Sequence, residues 1–214
     1  GMASQVVPAS DRFARRENRK LRLAVAETVG RKKVKNKTVT WGDFVARLRE
    51  PVRTKESYRD YINASRERQD AIKDVGYYVP THFEGAARKK ANMSTRDLVT
   101  LDIDFAPEDF LDSIELAFAG WAYALHSTHK HSPEKPRLRL IFPLARPVDE
   151  DEYGAVSRKL AEQVDLDWFD DTTFEFSRVM HWPSVSYDAE YVFVANDGPA
   201  VDPDEIPGWF DAWR

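Results

Sequence analysis

The chain has 214 residues, 42% of them hydrophobic and 32% charged, with a formal net charge of −4. Six Trp and twelve Phe supply enough apolar bulk for a packed core, which excludes disorder throughout, while the acidic balance excludes a uniformly basic nucleic-acid coat. The lack of cysteine excludes disulfides, thiolate nucleophiles and Cys-type zinc sites together and fits a reducing, cytoplasmic setting; no apolar run of membrane-span length and no charged-then-apolar leader is present, so no membrane partner is expected.

Residues 1–20 are polar and Arg-rich, with Arg12, Arg15, Arg16, Arg19 and Lys20, and read as a loose arm. Leu21, Leu23 and Val25 alternate with Arg22 and Ala24, a short strand pattern. The run from Arg31 to Lys37 is a basic loop, either a solvated linker or a contact to a phosphate backbone. Thr40 offers an N-cap to a helix carrying Phe44, Val45 and Leu48 and stopped at Pro51. Thr54 is expected to cap a second helix with Tyr58 and Tyr61 that ends near Gly76, before a strand at Tyr77, Tyr78 and Val79. The loop from Phe83 to Asp97 then places Arg88, Lys89, Lys90 and Arg96 just ahead of the next strand. Four cations there either neutralise a polyanionic substrate or keep a long loop soluble.

That next strand is Leu98-Val99-Thr100-Leu101-Asp102-Ile103-Asp104-Phe105. Alternation puts Leu101, Ile103 and Phe105 on one face and Thr100, Asp102 and Asp104 on the other. Two carboxylates rooted about 6–7 Å apart repel each other unless a cation lies between them or one is protonated. Mg²⁺ is held by one or two carboxylates plus substrate phosphates, so a D-x-D strand is a candidate metal platform as well as an ordinary solvated acidic face.

Pro107, Glu108 and Asp109 suit the start of a helix carrying Phe110, Leu111, Ile114 and Phe118 and stopping at Gly120. A strand from Trp121 to Ser127 follows, completing a strand–helix–strand unit that lays its two strands parallel in one sheet. After the turn Thr128–Pro136, the strand Arg137–Pro143 turns Leu138, Leu140 and Phe142 one way and Arg137 and Arg139 the other. Such an arginine pair needs anionic partners, with Asp102, Asp104 or a phosphate chain the available ones. Asp149 and Glu152 have capping-box spacing ahead of a helix with the apolar stripe Tyr153, Val156, Leu160 and Val164. Asp165, Asp167, Asp170 and Asp171 crowd a loop around Trp168 and Phe169; strands at Ser177–Trp182 and Tyr191–Val194 precede an acidic tail with Trp209, Phe210 and Trp213.

Acids on one strand, imidazole and basic groups further along, and more acids with an Arg later make a constellation suited to nucleotidyl transfer, in which divalent metals held by three carboxylates activate a hydroxyl and positive groups hold a triphosphate. The run Leu101-Asp102-Ile103-Asp104, the segment Thr128-His129-Lys130-His131-Ser132-Pro133-Glu134-Lys135-Pro136-Arg137-Leu138-Arg139, and the stretch Asp170 to Trp182 together resemble the archaeo-eukaryotic primase superfamily, nearest to primases and primase-polymerases of phages, plasmids and integrated elements. The resemblance spans residues 77–195. It implies an α/β (α+β) core with an RRM-like sheet, two Mg²⁺ or Mn²⁺ ions, and primer synthesis from ribo- or deoxynucleoside triphosphates on single-stranded DNA in the replication of a mobile element.

By that resemblance Asp102 and Asp104 are metal ligands and catalytic, Asp170 (or its neighbour Asp171) is the third ligand, and Arg178 contacts the nucleotide. The family's second motif, small-x-His on a strand, is not matched cleanly, because Arg139 stands where the His would fall. His131 with Arg137 and Arg139 is then the triphosphate-binding set, with His129 the second choice. Arg88, Lys89 and Lys90 are expected to meet nucleic acid. The expected organisation is a basic arm and helical annex over 1–75, a catalytic core over 76–195, and a tail or linker over 196–214 leading to a helicase domain, itself otherwise a separate protein partner. Two rival readings follow other features: a non-catalytic single-strand-binding replication-initiation module, and a rolling-circle nickase using the His129/His131 pair with Tyr153 as nucleophile.

Overall fold

A computed structural model describes residues 19–206; the arginines Arg12, Arg15 and Arg16 of the expected arm and the tail aromatics Trp209, Phe210 and Trp213 lie outside them. In chain order the elements are β1 (Leu21–Ala26), β2 (Lys35–Val39), α1 (Trp41–Arg49), β3 (Val52–Thr54), α2 (Tyr58–Asn63), α3 (Arg66–Lys73), β4 (Tyr77–Val79), β5 (Arg96–Ile103), α4 (Phe110–Phe118), β6 (Tyr123–Ser127), β7 (Leu138–Val148), α5 (Glu150–Glu162), β8 (Met180–His181), β9 (Ser184–Ser186) and β10 (Phe193–Asn196).

The central sheet has the order β10-β6-β7-β5. Both β5 and β6 run antiparallel to β7, so they are parallel to each other with β7 between them, and the expected strand–helix–strand unit is a split β-α-β. After α5 the chain returns beside β5 without forming a full strand: Phe169 bridges Ile103, the Asp104 N–H donates to the Trp168 carbonyl at 3.0 Å, and the Asp170 N–H donates to the Asp102 carbonyl at 3.1 Å. This β-α-β-β-α-β path is the RRM-like topology, with its last strand reduced to one bridge.

Why these residues build these elements is visible in the two faces of the sheet. Val99, Leu101, Ile103, Leu138, Leu140 and Phe142 join Ile114 and Phe118 of α4 and Val156 and Leu160 of α5 in one buried core. Each such side chain contributes about 1.5–3 kcal/mol by leaving water. Leu98, Ala124 and Ile141, on the opposite face, join Leu21, Leu23, Tyr78 and Trp182. Leu21, Leu23 and Tyr78 belong to a second antiparallel sheet, β2-β1-β4-β8, and Trp182 follows its last strand; the sheet draws β1 and β2 from the 1–75 stretch, which thus contains strands as well as helices α1 to α3. A parallel pair, β3-β9, stitches it to the chain near Ser184.

Several local expectations hold. Thr40 caps α1 by accepting from the Asp43 N–H at 3.0 Å, and Asp149 and Glu152 form a complete capping box on α5. Others change. The single helix expected from Thr54 to Gly76 is two, because Ser57 and Ser65 each cap a new start, and a serine that bonds the backbone ahead of it ends one helix as it opens the next. Thr54 lies in β3 instead. Helix α4 begins at Phe110 rather than at Pro107, and the strand expected over Ser177–Trp182 is only Met180–His181. The alternation of β5 stops at Ile103: Phe105 is 66% exposed, because the two successive N–H groups of Asp104 and Phe105 both turn to the Trp168 carbonyl. No helix among the described residues is long and apolar enough to cross a membrane.

Candidate active site

Register decides which charges meet. Asp102 of β5 stands opposite Arg139 of β7, and Arg139 stands opposite His126 of β6, so the three form one row across the face of the central sheet. Arg139 Nε donates to Asp102 Oδ1 at 2.7 Å, and its Nη1 donates to the His181 carbonyl at 2.9 Å. Arg178 reaches Asp102 from the other side, donating through Nη2 to Oδ2 at 2.8 Å and through Nε at 3.2 Å. Burial alone would raise the Asp102 carboxyl, but the two guanidiniums outweigh it and hold the group down at about 2.

The loop after α5 brings the third acid. Asp170 sits beside Asp102 through the backbone bond already described, and the Asp102 N–H donates in return to Thr173 Oγ1 at 2.7 Å. Asp170 caps a short 3₁₀ turn by accepting from the Thr172 N–H at 3.1 Å, and its Oδ2 lies 3.3 Å from Arg178 Nη2. Arg178 therefore ties Asp102 to Asp170. Asp104 is held more loosely: among the described residues its one cationic neighbour is Arg137, at 3.4 Å. Burial, only partly countered by Arg137 and reinforced by repulsion from Asp102 and Asp170, pushes the Asp104 carboxyl above the usual carboxylate range.

All three acids open onto one cleft of about 660 Å³, together with Arg137, Arg139 and Arg178. Across from them α3 presents Arg66, Asp70 and Lys73, the last two paired at 3.4 Å, and Lys130 follows His129 on the loop after β6. The expected site residues thus divide. Asp102, Asp104, Asp170, Arg137, Arg139, Arg178 and His129 come together. Asp171 is exposed one step beyond, outside the cleft wall. His131 is buried in its own turn, its Nδ1 accepting from the Arg137 N–H at 3.1 Å. His129 has both ring nitrogens engaged, by Ser184 Oγ at 2.8 Å and Ser186 Oγ at 3.2 Å, and Tyr61 packs on its ring at 4.1 Å. Burial pushes its pKa down to about 4, so it is a neutral wall residue at neutral pH.

Arg88, Lys89, Lys90 and Arg96 do not line the cleft. Arg88 lies over the Tyr77 ring, Lys90 pairs with Glu150 at 2.6 Å, and Arg96 is fully buried, with Nη2 donating to Thr100 Oγ1 at 2.9 Å and Nη1 to the Phe176 carbonyl at 3.1 Å. Tyr153, the nucleophile a nickase would need, is fully buried in α5 with its hydroxyl donating to the Thr100 carbonyl, which removes that reading. His126 was not singled out by the sequence, although the alternation Ala122, Ala124, His126 places it on the Asp102 face. Its Nδ1 faces the Ser127 carbonyl at 2.9 Å, and its buried Nε2 has no hydrogen-bond partner among the described residues. Nor did the sequence single out Arg66 and Lys73, because α3 is far along the chain from the acids that share the cleft with it.

Among the described residues no three His, Asp or Glu groups form a ready metal cage. The donor chemistry suits a hard divalent ion, since Asp102, Asp104 and Asp170 share one wall of the cleft, but Asp102 has both oxygens taken by guanidinium. Asp104, with one loose guanidinium neighbour, has the most room for an ion; Asp170 is more exposed than Asp102 but accepts through Oδ1 from the Thr172 N–H and through Oδ2 from Thr172 Oγ1 at 3.1 Å and from Arg178.

A split β-α-β sheet with acids and arginines from its strands and from the loop after α5 converging on one side defines the class: a mixed α/β domain with a polar cleft. The chain belongs to the VapE N-terminal domain family, whose model matches residues 9–214. No curated protein matches it. Similar solved structures include the AEP domain (PP-N190) of the cyanophage S-2L primase-polymerase, at 13% identity over 97% of this chain and 100% of that chain with a TM-score of 0.46. Another is the catalytic domain of primase RepB′ in complex with initiator DNA, at 13% identity over 96% of this chain and 91% of that chain with a TM-score of 0.44.

Proposed function

We propose that the chain is the catalytic core of a primase-type nucleotidyltransferase, joining nucleoside triphosphates on a single-stranded DNA template in the replication of a mobile element, alongside a helicase domain or protein. The observation that carries this reading is the convergence of Asp102, Asp104 and Asp170, from two distant stretches of chain, on one cleft with Arg137, Arg139 and Arg178. The primase resemblance of the three motifs supports it further. A module that only binds nucleic acid has no use for three carboxylates there, since they repel phosphate.

In this reading Asp104 and Asp170 hold the divalent ions, Mg²⁺ or Mn²⁺, and Asp102 fixes Arg139 and Arg178 in place. The ions would supply phosphate neutralisation and a more acidic attacking hydroxyl. Arg137 at the mouth, with Lys130, Lys73 and Arg66 opposite, holds the triphosphate, because fixed cations aimed at a phosphate chain stabilise charge that grows on the leaving pyrophosphate. Arg178, already shared between Asp102 and Asp170, orients the carboxylate edge toward it.

The test is incorporation of labelled nucleotide on single-stranded template with Mn²⁺. Wild type should extend, and the double variant Asp104→Asn, Asp170→Asn should lose at least about 100-fold, since loss of groups that hold or orient a metal costs that order. Asparagine keeps the cap on the 3₁₀ turn, so the fold is retained. Equal incorporation by both proteins would refute the assignment.

A further inference from the structure

A second groove, of about 520 Å³, shares one wall residue with the catalytic cleft, Trp182. Its floor is apolar, formed by Val25, Ala26, Val34, Val75 and Trp182. Its rim is cationic: Arg31, Lys33, Lys35 and Lys37 from the β1–β2 ribbon and Arg47 from α1, against the single acid Glu27. Lys33, Lys35 and Lys37 are exposed, and among the described residues neither they nor Arg47 has a carboxylate within salt-bridge range. Arg31 and Glu27 come no closer than 3.9 Å, both well exposed.

Two sequence-distant basic stretches also meet here. The Val34 N–H donates to the Ala86 carbonyl at 2.9 Å and the Arg88 N–H to the Lys32 carbonyl at 2.8 Å, so the loop bearing Lys89 is zipped onto the loop bearing Lys32 and Lys33. Like charges drawn together repel, and Lys35 and Lys37 lie on the last strand of their sheet. A polyanion resolves the repulsion by replacing their counterions. Arg47 lies with its guanidinium 4.0 Å over the Trp182 ring, where the two cavities join.

We propose that this groove is the track along which one strand of nucleic acid enters the cleft, its phosphates on the lysines of the β1–β2 ribbon and its bases toward the apolar floor. The chemistry is that of single-strand channels, which pair a cationic rim with an apolar or aromatic surface for unpaired bases. A duplex hides those bases and makes no use of the floor. The identity of the strand as template rests on the primase-type reading; the existence of the track does not.

The test is therefore run without nucleotide and with metal chelated, by fluorescence anisotropy of a labelled oligothymidylate titrated at several salt concentrations. Three phosphate contacts account for a salt slope of about 2 on a single strand. The variant K33A/K35A/K37A should lose about 2 from the slope and more than about tenfold in affinity at low salt. The charge-preserving variant K33R/K35R/K37R should bind as wild type does, which separates lost charge from lost fold. Wild-type affinity and slope in the alanine variant would overturn the track, as would tighter binding of a duplex of equal length, or binding of an acidic protein with none of DNA. Lysine-dependent binding by a protein that incorporates no nucleotide would keep the track and remove the catalytic reading.

Discussion

Strand β5 carries two buried acids five positions apart, and each is clasped by two arginines. At one end Asp97, 1% exposed, accepts from the Arg22 N–H at 2.8 Å and from Arg22 Nη2 at 2.8 Å, and Arg19 Nη2 lies 3.3 Å away. At the other Asp102, 8% exposed, is held by Arg139 and Arg178. By residue type and partner count the two knots are alike. What separates them is their surroundings. Arg19 also donates to the Leu144 carbonyl, so the arginines of the Asp97 knot are spent on the protein, whereas the Asp102 knot borders a cleft where Asp104 has Arg137 as its one loose cationic partner among the described residues. A buried ion cluster by itself therefore says nothing about function; unspent charge next to it does.

The largest expected effect breaks the comparison directly. Removing one partner of a buried ion pair leaves the other uncompensated, at a cost of about 3–5 kcal/mol. Asp102→Ala should lose that much in urea unfolding, because Arg139 is as buried as its partner. Asp97→Ala should lose less, about 2 kcal/mol, since the side chains of Arg19 and Arg22 are 23% and 26% exposed and can turn to water. The sharper contrast lies in activity measured where both variants remain folded: Asp97→Ala extends primers and Asp102→Ala does not. Equal loss at both ends would make the Asp102 knot structural only.

A second, smaller effect marks the ends by pH. His126 and His181 flank Arg139, and burial together with Arg139 pushes both down to about 4. Among the described residues no histidine contacts Asp97. Between pH 6.5 and 4 the unfolded chain binds a proton at such a histidine and the folded chain does not, so stability falls as pH drops through that window and levels off beneath it. For fully buried His126 this amounts to about 2 kcal/mol at pH 5. Unfolding midpoints at pH 7.5 and 5 should differ in wild type, and His126→Leu should flatten part of that difference. An unchanged pH dependence in His126→Leu would place the titration elsewhere.

How far the sequence alone reached follows the same division. Alternation and capping are local, so β5, β6, β7, α1 and α5 could be read directly, and with them the D-x-D pair and the arginines facing it. That β5 and β6 run parallel in one sheet was also readable from the strand–helix–strand order, whereas the RRM-like sheet, with β7 between them, was implied only by the primase resemblance. Long-range register was not readable. Nothing local shows that Arg96 belongs to the core with its guanidinium 4.0 Å over the Tyr153 ring, or that His131 turns inward to cap its own loop while His126 enters the row with Asp102. The basic loop at 31–37 was legible as charge but not as a groove, since its apolar floor comes from β1, Val75 and Trp182. Within the expected annex β1 was legible from its alternation, but β2 was not, because it is polar on nearly every residue and has no hydrophobic alternation to declare it.

The smallest expected change in stability is also the most diagnostic. Asp104 differs from Asp97 and Asp102 in having one loose cationic partner, with side chains 19% and 27% exposed, and a carboxyl held above its usual range by burial and by its acidic neighbours. An ion pair that open is worth between zero and about 1 kcal/mol, and the repulsion works against it. A raised carboxyl is one whose charge the folded state disfavours at neutral pH, so removing the charge relieves as much as it loses. Asp104→Asn should shift unfolding at pH 7 by no more than about 0.5 kcal/mol while nucleotide incorporation drops at least about 100-fold. A destabilisation above about 2 kcal/mol would put Asp104 with Asp97 as part of the frame. Retained stability with lost activity would show that this carboxylate is kept for something outside the chain, a cation and the phosphates it brings.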